Sequence, residues 1–198
     1  MPLLISCIGK DTGGGLFSYD GVAPEQIDTL STTGIAQAGE RFGRLLWSSG
    51  ETGSVGELLV YDEIGVRSYS RIDSLREPHD LFWDGSSFVS VSTMTNSLVW
   101  HSPTGEVERE WRAPGDGDAW HLNGVTQIGD RLLACAFGRF SRHREWEGRT
   151  NGTGIVFDVP RPPVRVEVEV TPTFSPSTFG VDDTRQLGAQ VSFRFEPR

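Results

Sequence analysis

Apolar and polar residues alternate along this chain in short runs broken by Gly, Asp and Pro, and the runs recur in a fixed order. One type reads "PLLISC" (2–7), "GRLLWSS" (43–49), "SFVSVST" (87–93) and "RLLACAF" (131–137). A second follows each: "GLFSYD" (15–20), "ELLVYD" (57–62), "SLVWHS" (97–102) and "GIVFDV" (154–159). A third follows again: "EQIDTL" (25–30), "VRSYSRI" (66–72), "EVEREWRA" (106–113) and "VRVEVEV" (164–170). Ahead of the later copies of the first type lie "GIAQAGE" (34–40), "HDLFWDG" (79–85) and "HLNGVTQIGD" (121–130). Alternation of this kind is the mark of half-buried strands, and no apolar stripe of helical period runs for three turns. The pattern predicts an all-β protein.

The spacing narrows the architecture. Ile35 to His79 is 44 residues, His79 to His121 is 42 and Tyr19 to Tyr61 is 42. Four short strands at that period make one blade of a β-propeller, whose two faces must be covered by neighbouring blades. The expectation is a propeller-like array of about four blades, incomplete because the first copy lacks its opening strand. An open sheet edge invites pairing, and the alternating "GAQVSFRFEP" (188–197) could supply the missing strand. From Pro160 the texture changes: Pro160, Pro162 and Pro163 read as a linker, because proline cannot donate to a sheet ladder. Residues 1–159 are therefore expected to form the blades. Residues 160–198 are expected to form a Pro-rich linker and a C-terminal β-hairpin extension, too short to hold a core alone. An array left open in this way would close by self-association or with another protein.

Composition and charge restrict the partners. Twenty-four Gly and 11 Pro suit many tight turns. With 27 Asp and Glu against 18 Lys and Arg, the net charge of -9 excludes the basic surface that nucleic acid or an anionic membrane requires. A small polar ligand, neutral and hydroxyl-rich, fits better. No cofactor is demanded, although a divalent cation would be compatible with the acidic balance. The opening "MPLLISCIGK" has too short an apolar run, and lacks the basic start, for a signal peptide. No stretch approaches the roughly 18 apolar residues of a spanning helix. Two cysteines, Cys7 and Cys135, imply no disulfide framework, so a cytoplasmic location is expected.

Longer strings carry a resemblance. From "RIDSLREPHDLFWDG" through "GDAWHLN" to "ACAFGRF", roughly residues 30–159, the chain resembles a bacterial propeller family of unknown function. Members of that family occur among genes for cell-surface polysaccharide assembly and related tailoring clusters. The resemblance implies more blades than this chain holds, because the family pattern continues after "GIVFDV" and here it does not. The tail "FSPSTFGVDDTRQLG" instead resembles the ending of a small β-module in glycosyltransferase-type polysaccharide proteins. The family offers no established catalytic residues to carry over. What it implies is a ligand- or partner-binding module in surface-polysaccharide metabolism.

The candidate chemistry gathers at two junctions, "REPHDLFWDG" and "GDGDAWHLNGV" (115–125). His79 and His121 open successive inner strands, whose ends line one mouth of a propeller channel. With Asp80, Asn123, Asp116 and Asp118 they could hold a divalent cation, or serve as the acid and base of a hydrolase or lyase. Alternatively each imidazole bonds a backbone carbonyl and pins the repeat. The third equivalent position is read as Ile35, which leaves no ring of histidines. Asp116 and Asp118 have the Asp-x-Asp spacing of calcium loops without the later ligands. Of six tryptophans, Trp47, Trp83 and Trp100 fall in strand patterns and belong to the core. Trp120 and Trp146 fall in loops and could stack on a sugar ring. The insertion "GRFSRHREWEGRTNGT" (138–153) concentrates Arg139, Arg142, His143, Arg144 and Arg149 and could clamp an anion. His101 stands where other copies have Asp20, Asp62 and Asp158, which predicts an exposed strand end.

Overall fold

The computed structural model describes residues 3–9, 13–50 and 53–160. Fourteen strands account for its regular structure, and these described residues contain no helix. The chain divides into two units, Met1–Val159 and Pro160–Arg198. The readings of "VRVEVEV" as a blade strand and "GAQVSFRFEP" as a closing strand, with the C-terminal extension as a whole, lie outside the described residues.

The first unit is four antiparallel sheets in series, a propeller-like array and not a closed barrel. The first sheet has three strands, β1 (Leu3–Cys7), β2 (Gly15–Tyr19) and β3 (Pro24–Gln26). The second has four, β4 (Thr32–Ala38), β5 (Arg41–Gly50), β6 (Gly53–Tyr61) and β7 (Val66–Arg76). The third runs β8 (Pro78–Trp83), β9 (Phe88–Ser92), β10 (Ser97–His101) and β11 (Val107–Arg112). The fourth comprises β12 (Leu122–Ile128), β13 (Arg131–Ala136) and β14 (Ile155–Asp158). Each sheet follows chain order, so every connection within it is a hairpin. The strands β1, β4, β8 and β12 meet in succession and tie sheet to sheet.

Two seams hold the apolar core. Between the second and third sheets, Leu45, Leu58, Leu75, Leu81, Phe88 and Val99 are buried together. Between the third and fourth, Val89, Val91, Leu98, Trp100, Trp120, Leu122 and Val125 do the same. The third sheet is covered on both sides, which is why all five residues of β9 and of β10 are buried. Its strands consequently read as continuous apolar runs relieved by small Ser residues.

The inner strands share one irregularity, and it fixes the site. In β4, Thr32 pairs with Leu46 and Gly34 with Leu45, leaving Thr33 as a one-residue bulge. The same break separates Pro78 from Leu81 in β8 and Leu122 from Gly124 in β12. A bulge of this kind re-aims the side chains beside it. Just before each bulge one carbonyl accepts a backbone N–H from the second strand's end: Ser31 from Trp47, Glu77 from Thr93 and His121 from Phe137. This register corrects the sequence-based equivalence of Ile35, His79 and His121. His121 is the counterpart of Glu77 and Ser31, and His79 is the counterpart of Asn123 and Thr33. The two histidines therefore stand two positions apart in the junction, an offset that the apolar spacing does not reveal.

Candidate functional site

That two-residue offset brings the two imidazoles together. Their ring centroids lie 5.2 Å apart in an edge-to-face arrangement. His79 Nδ1–H donates to Asn123 Oδ1 at 2.7 Å, joining the bulge positions of adjacent sheets. His121 Nδ1–H donates to both oxygens of Asp118 at 3.0 Å. Both Nδ1 atoms are thus committed to acceptors, so each ring, in its neutral form, presents its Nε2 as a lone pair. Neither Nε2 has a hydrogen-bond partner among the described residues, and neither counts among the buried polar atoms left unbonded. Burial depresses His79 below the ordinary imidazole range, the Asn123 bond opposes this, and His121 adds to it.

Asp118 is wholly buried, and two loops lock around it. Its backbone N–H donates to His143 Nδ1 at 3.1 Å. Its carbonyl accepts from Arg144 N–H and from Trp146 Nε1–H, each at 3.0 Å. The insertion is therefore folded over the junction. Trp146 and Phe137 flank the His121 ring at 4.3 and 4.2 Å between centroids, while Trp47 stands 6.4 Å from His79.

Arg144 closes the arrangement. Its NH2 donates to both Glu77 oxygens at 3.1 and 3.2 Å, and its Nε lies 3.4 Å from Asp118 Oδ2. That Nε is buried and makes no hydrogen bond, so its contact with Asp118 is an ion pair alone. Glu77, His121 and Arg144 all have positive φ, at 46°, 53° and 53°. Among the described residues only Asn96 joins them as a non-glycine in that region. Left-handed backbone at such residues costs roughly 1–3 kcal/mol each. Three such residues, linked through Arg144 to Glu77 and through Asp118 to His121, mark this junction as the place where the fold tolerates strain.

Of the residues singled out in the sequence, the structure brings together His79, His121, Asp118, Asn123 and Trp146. Asp80 lies beneath them as a pin, accepting from Leu81 N–H and Val125 N–H at 2.9 Å each. Burial lifts its carboxyl above the usual range, against those two bonds. Asp116 is exposed, whereas the Asp118 carboxylate is buried against His121 and Arg144. Among the described residues no group of three or more His, Cys, Asp or Glu is placed to hold a metal ion. Arg139 and Arg142 are exposed, Arg139 lies over the Trp120 ring at 5.6 Å, and Arg149 pairs with Glu145.

Two expectations fail. Trp120, read as a loop platform, is 8 % exposed and belongs to the core. Its N–H is held by buried Asn96, and the left-handed His121 turns the chain just after it, which drives the indole into the seam. His101, read as an exposed strand end, is fully buried beside Phe88, which packs in the seam with the second sheet. Its Nδ1–H faces Ser102 O at 3.4 Å, its Nε2 accepts from Ser90 at 2.8 Å, and it stacks on Phe88. The residues that sequence reasoning missed are Glu77 and the particular role of Arg144. The signal for Glu77 was its place before Pro78, matching His121 before Leu122, once the bulge is counted.

Blades in series, inner strands leading and a side-chain cluster at their starting ends define a propeller-like scaffold. No family model and no curated protein matches the chain. Among solved structures it is similar to a luciferin-regenerating enzyme, at 12% identity over 80% of this chain and 57% of that one, with a TM-score of 0.52. It is also similar to the Myxococcus xanthus glutaminyl cyclase, at 16% identity over 67% and 66% of the two chains, with a TM-score of 0.44. A further match is Saccharomyces cerevisiae Sqt1, at 16% identity over 80% and 39%, with a TM-score of 0.40. At these identities the likeness is one of fold. The chain spans less than two thirds of the luciferin-regenerating enzyme's length. Among the described residues no helix is long and apolar enough to cross a membrane.

Proposed function

We propose that the blade unit binds a small, uncharged, hydroxyl-rich ligand of carbohydrate kind, with His79 and His121 as the groups that meet it. One observation carries this reading. Two adjacent imidazoles have their Nδ1 edges locked to Asn123 and Asp118 and their Nε2 edges without protein partners. Such a pair offers hydrogen-bond acceptors and suits a ligand that brings donors, as sugar hydroxyls do. The half-buried Trp146 and Trp47 put ring faces beside it, and the acidic chain disfavours anions. A role in bacterial surface-polysaccharide metabolism rests on the sequence resemblance.

The test is an imidazole nitrogen spectrum of the labelled chain titrated with glucose, galactose and N-acetylglucosamine. Shifts in the His79 and His121 Nε2 resonances, abolished in His121→Ala while the fold persists, are expected. Sugars that leave both rings unmoved would overturn the reading.

A second reading is acid–base catalysis, favoured by the Asp118–His121 couple. A carboxylate that holds a histidine's Nδ1–H orients the ring and stabilises the imidazolium formed during proton transfer. His121 would be the base, with His79 beside it at 5.2 Å between ring centroids. Nitrophenyl glycosides and esters are the probes, and His121→Gln should lower any release of nitrophenolate by roughly 10²–10⁴. A rate untouched by that substitution would remove this reading.

A further inference from the structure

We propose that Arg144 is the positioning residue that makes His121 Nε2 an acceptor. This rests on the preceding reading only in treating Nε2 as the ligand-facing edge.

Asp118 is fully buried, and its carboxylate meets two groups among the described residues, the His121 Nδ1–H and the Arg144 guanidinium. Of these only Arg144 carries a fixed charge. Glu77 draws on the same guanidinium, and Glu147 approaches it at 3.8 Å with its side chain largely in water. A buried carboxylate without its cation is strongly disfavoured. Without Arg144 the Asp118–His121 couple would therefore have to take up a proton.

That proton has two places to go, and both change the same atom. If it stays on Asp118, the carboxylic O–H donates to Nδ1 and the ring's own hydrogen moves to Nε2. If it goes to the imidazole, both nitrogens carry hydrogen. Either way Nε2 turns from acceptor to donor. The guanidinium does no more than hold charge at Asp118, yet that decides which ligand groups His121 can receive.

The experiment needs no ligand, so it stands or falls separately from the binding reading. A long-range imidazole nitrogen spectrum of the uniformly labelled chain at neutral pH should show His121 Nε2 bare and Nδ1 protonated. In Arg144→Met the Nε2 should carry hydrogen, its occupancy ratio changing by about tenfold or more, as loss of one close opposite charge implies. Arg144→Lys, which keeps the charge, should return Nε2 to the bare state. Where Arg144→Met does not fold, Arg144→Gln keeps a donor, lacks the charge and is read in the same way. A folded Met or Gln variant with Nε2 still bare overturns the proposal, as does a Lys variant protonated like the Met one. A merely structural Arg144 would lower the melting temperature in all three and leave the ring's hydrogens in place.

Discussion

His101 shows what a buried titratable group does when no charge accompanies it. Burial drives it down to about 4, against weaker opposing contributions from Ser102 and Glu108. The folded chain therefore holds it neutral where the unfolded chain, near 6.5, begins to bind a proton. Between those values the unfolded state carries more protons, so stability is full above about pH 6.5 and falls as pH drops toward about 4. The difference amounts to about 3 kcal/mol. Urea midpoints should fall over that window in the wild-type chain. In His101→Gln they should start lower at neutral pH and show a flatter dependence, and equal slopes would refute the assignment. The same residue shows where the sequence was silent. Asp20 and Asp62 cap their turns by accepting from Val22 and Ile64 N–H, and alignment alone placed His101 among them. Its burial beside Phe88 at the seam is a matter of packing that no local pattern reports.

The inner strands are tuned at single glycines. A Cβ at Gly34 would lie 2.4 Å from Leu81 N and 2.8 Å from Asp80 C, backbone atoms that cannot yield locally. The equivalent position in β12, Gly124, is more forgiving: its Cβ would meet Cys135 Sγ at 3.3 Å and Asp80 Oδ2 at 3.5 Å. Gly34→Ala should thus cost roughly 1–3 kcal/mol as an overpacking change, and Gly124→Ala markedly less, both read from chemical denaturation. Equal losses would mean that the two positions are equally crowded, against this geometry. Strand existence was legible here because each strand needs only alternation and a turn. The register was not, since one bulged residue displaces every side chain ahead of it. His79, His121, Asp118 and Asn123 could therefore be picked out in the sequence, while Glu77 could not be seen as the partner position of His121.

At the scale of the molecule, the array could be read from its repeat because each sheet contacts only its neighbours, as in any stack of repeated units. That same arrangement makes stability local. The first sheet reaches the rest through β1 against β4 and through Arg44, whose guanidinium is buried. It bonds Asp28 through two nitrogens at 2.5 and 2.6 Å, Thr32 Oγ1 at 2.7 Å and Leu30 O at 2.9 Å. The first sheet's face is otherwise sparse: Leu3 and Ile8 are largely exposed, unlike the apolar residues of β9 and β10. Removing one partner of a buried ion pair costs roughly 3–5 kcal/mol. Arg44→Met belongs toward the lower end, because Asp28 keeps 30% of its side chain in water. The loss should stay at that end of the array. Hydrogen exchange should show the amides of β1–β3 opening while those of β9, β10 and β13 keep their protection. Uniform loss across all four sheets would instead mean that the array unfolds as one cooperative body, with Arg44 serving the whole rather than one seam.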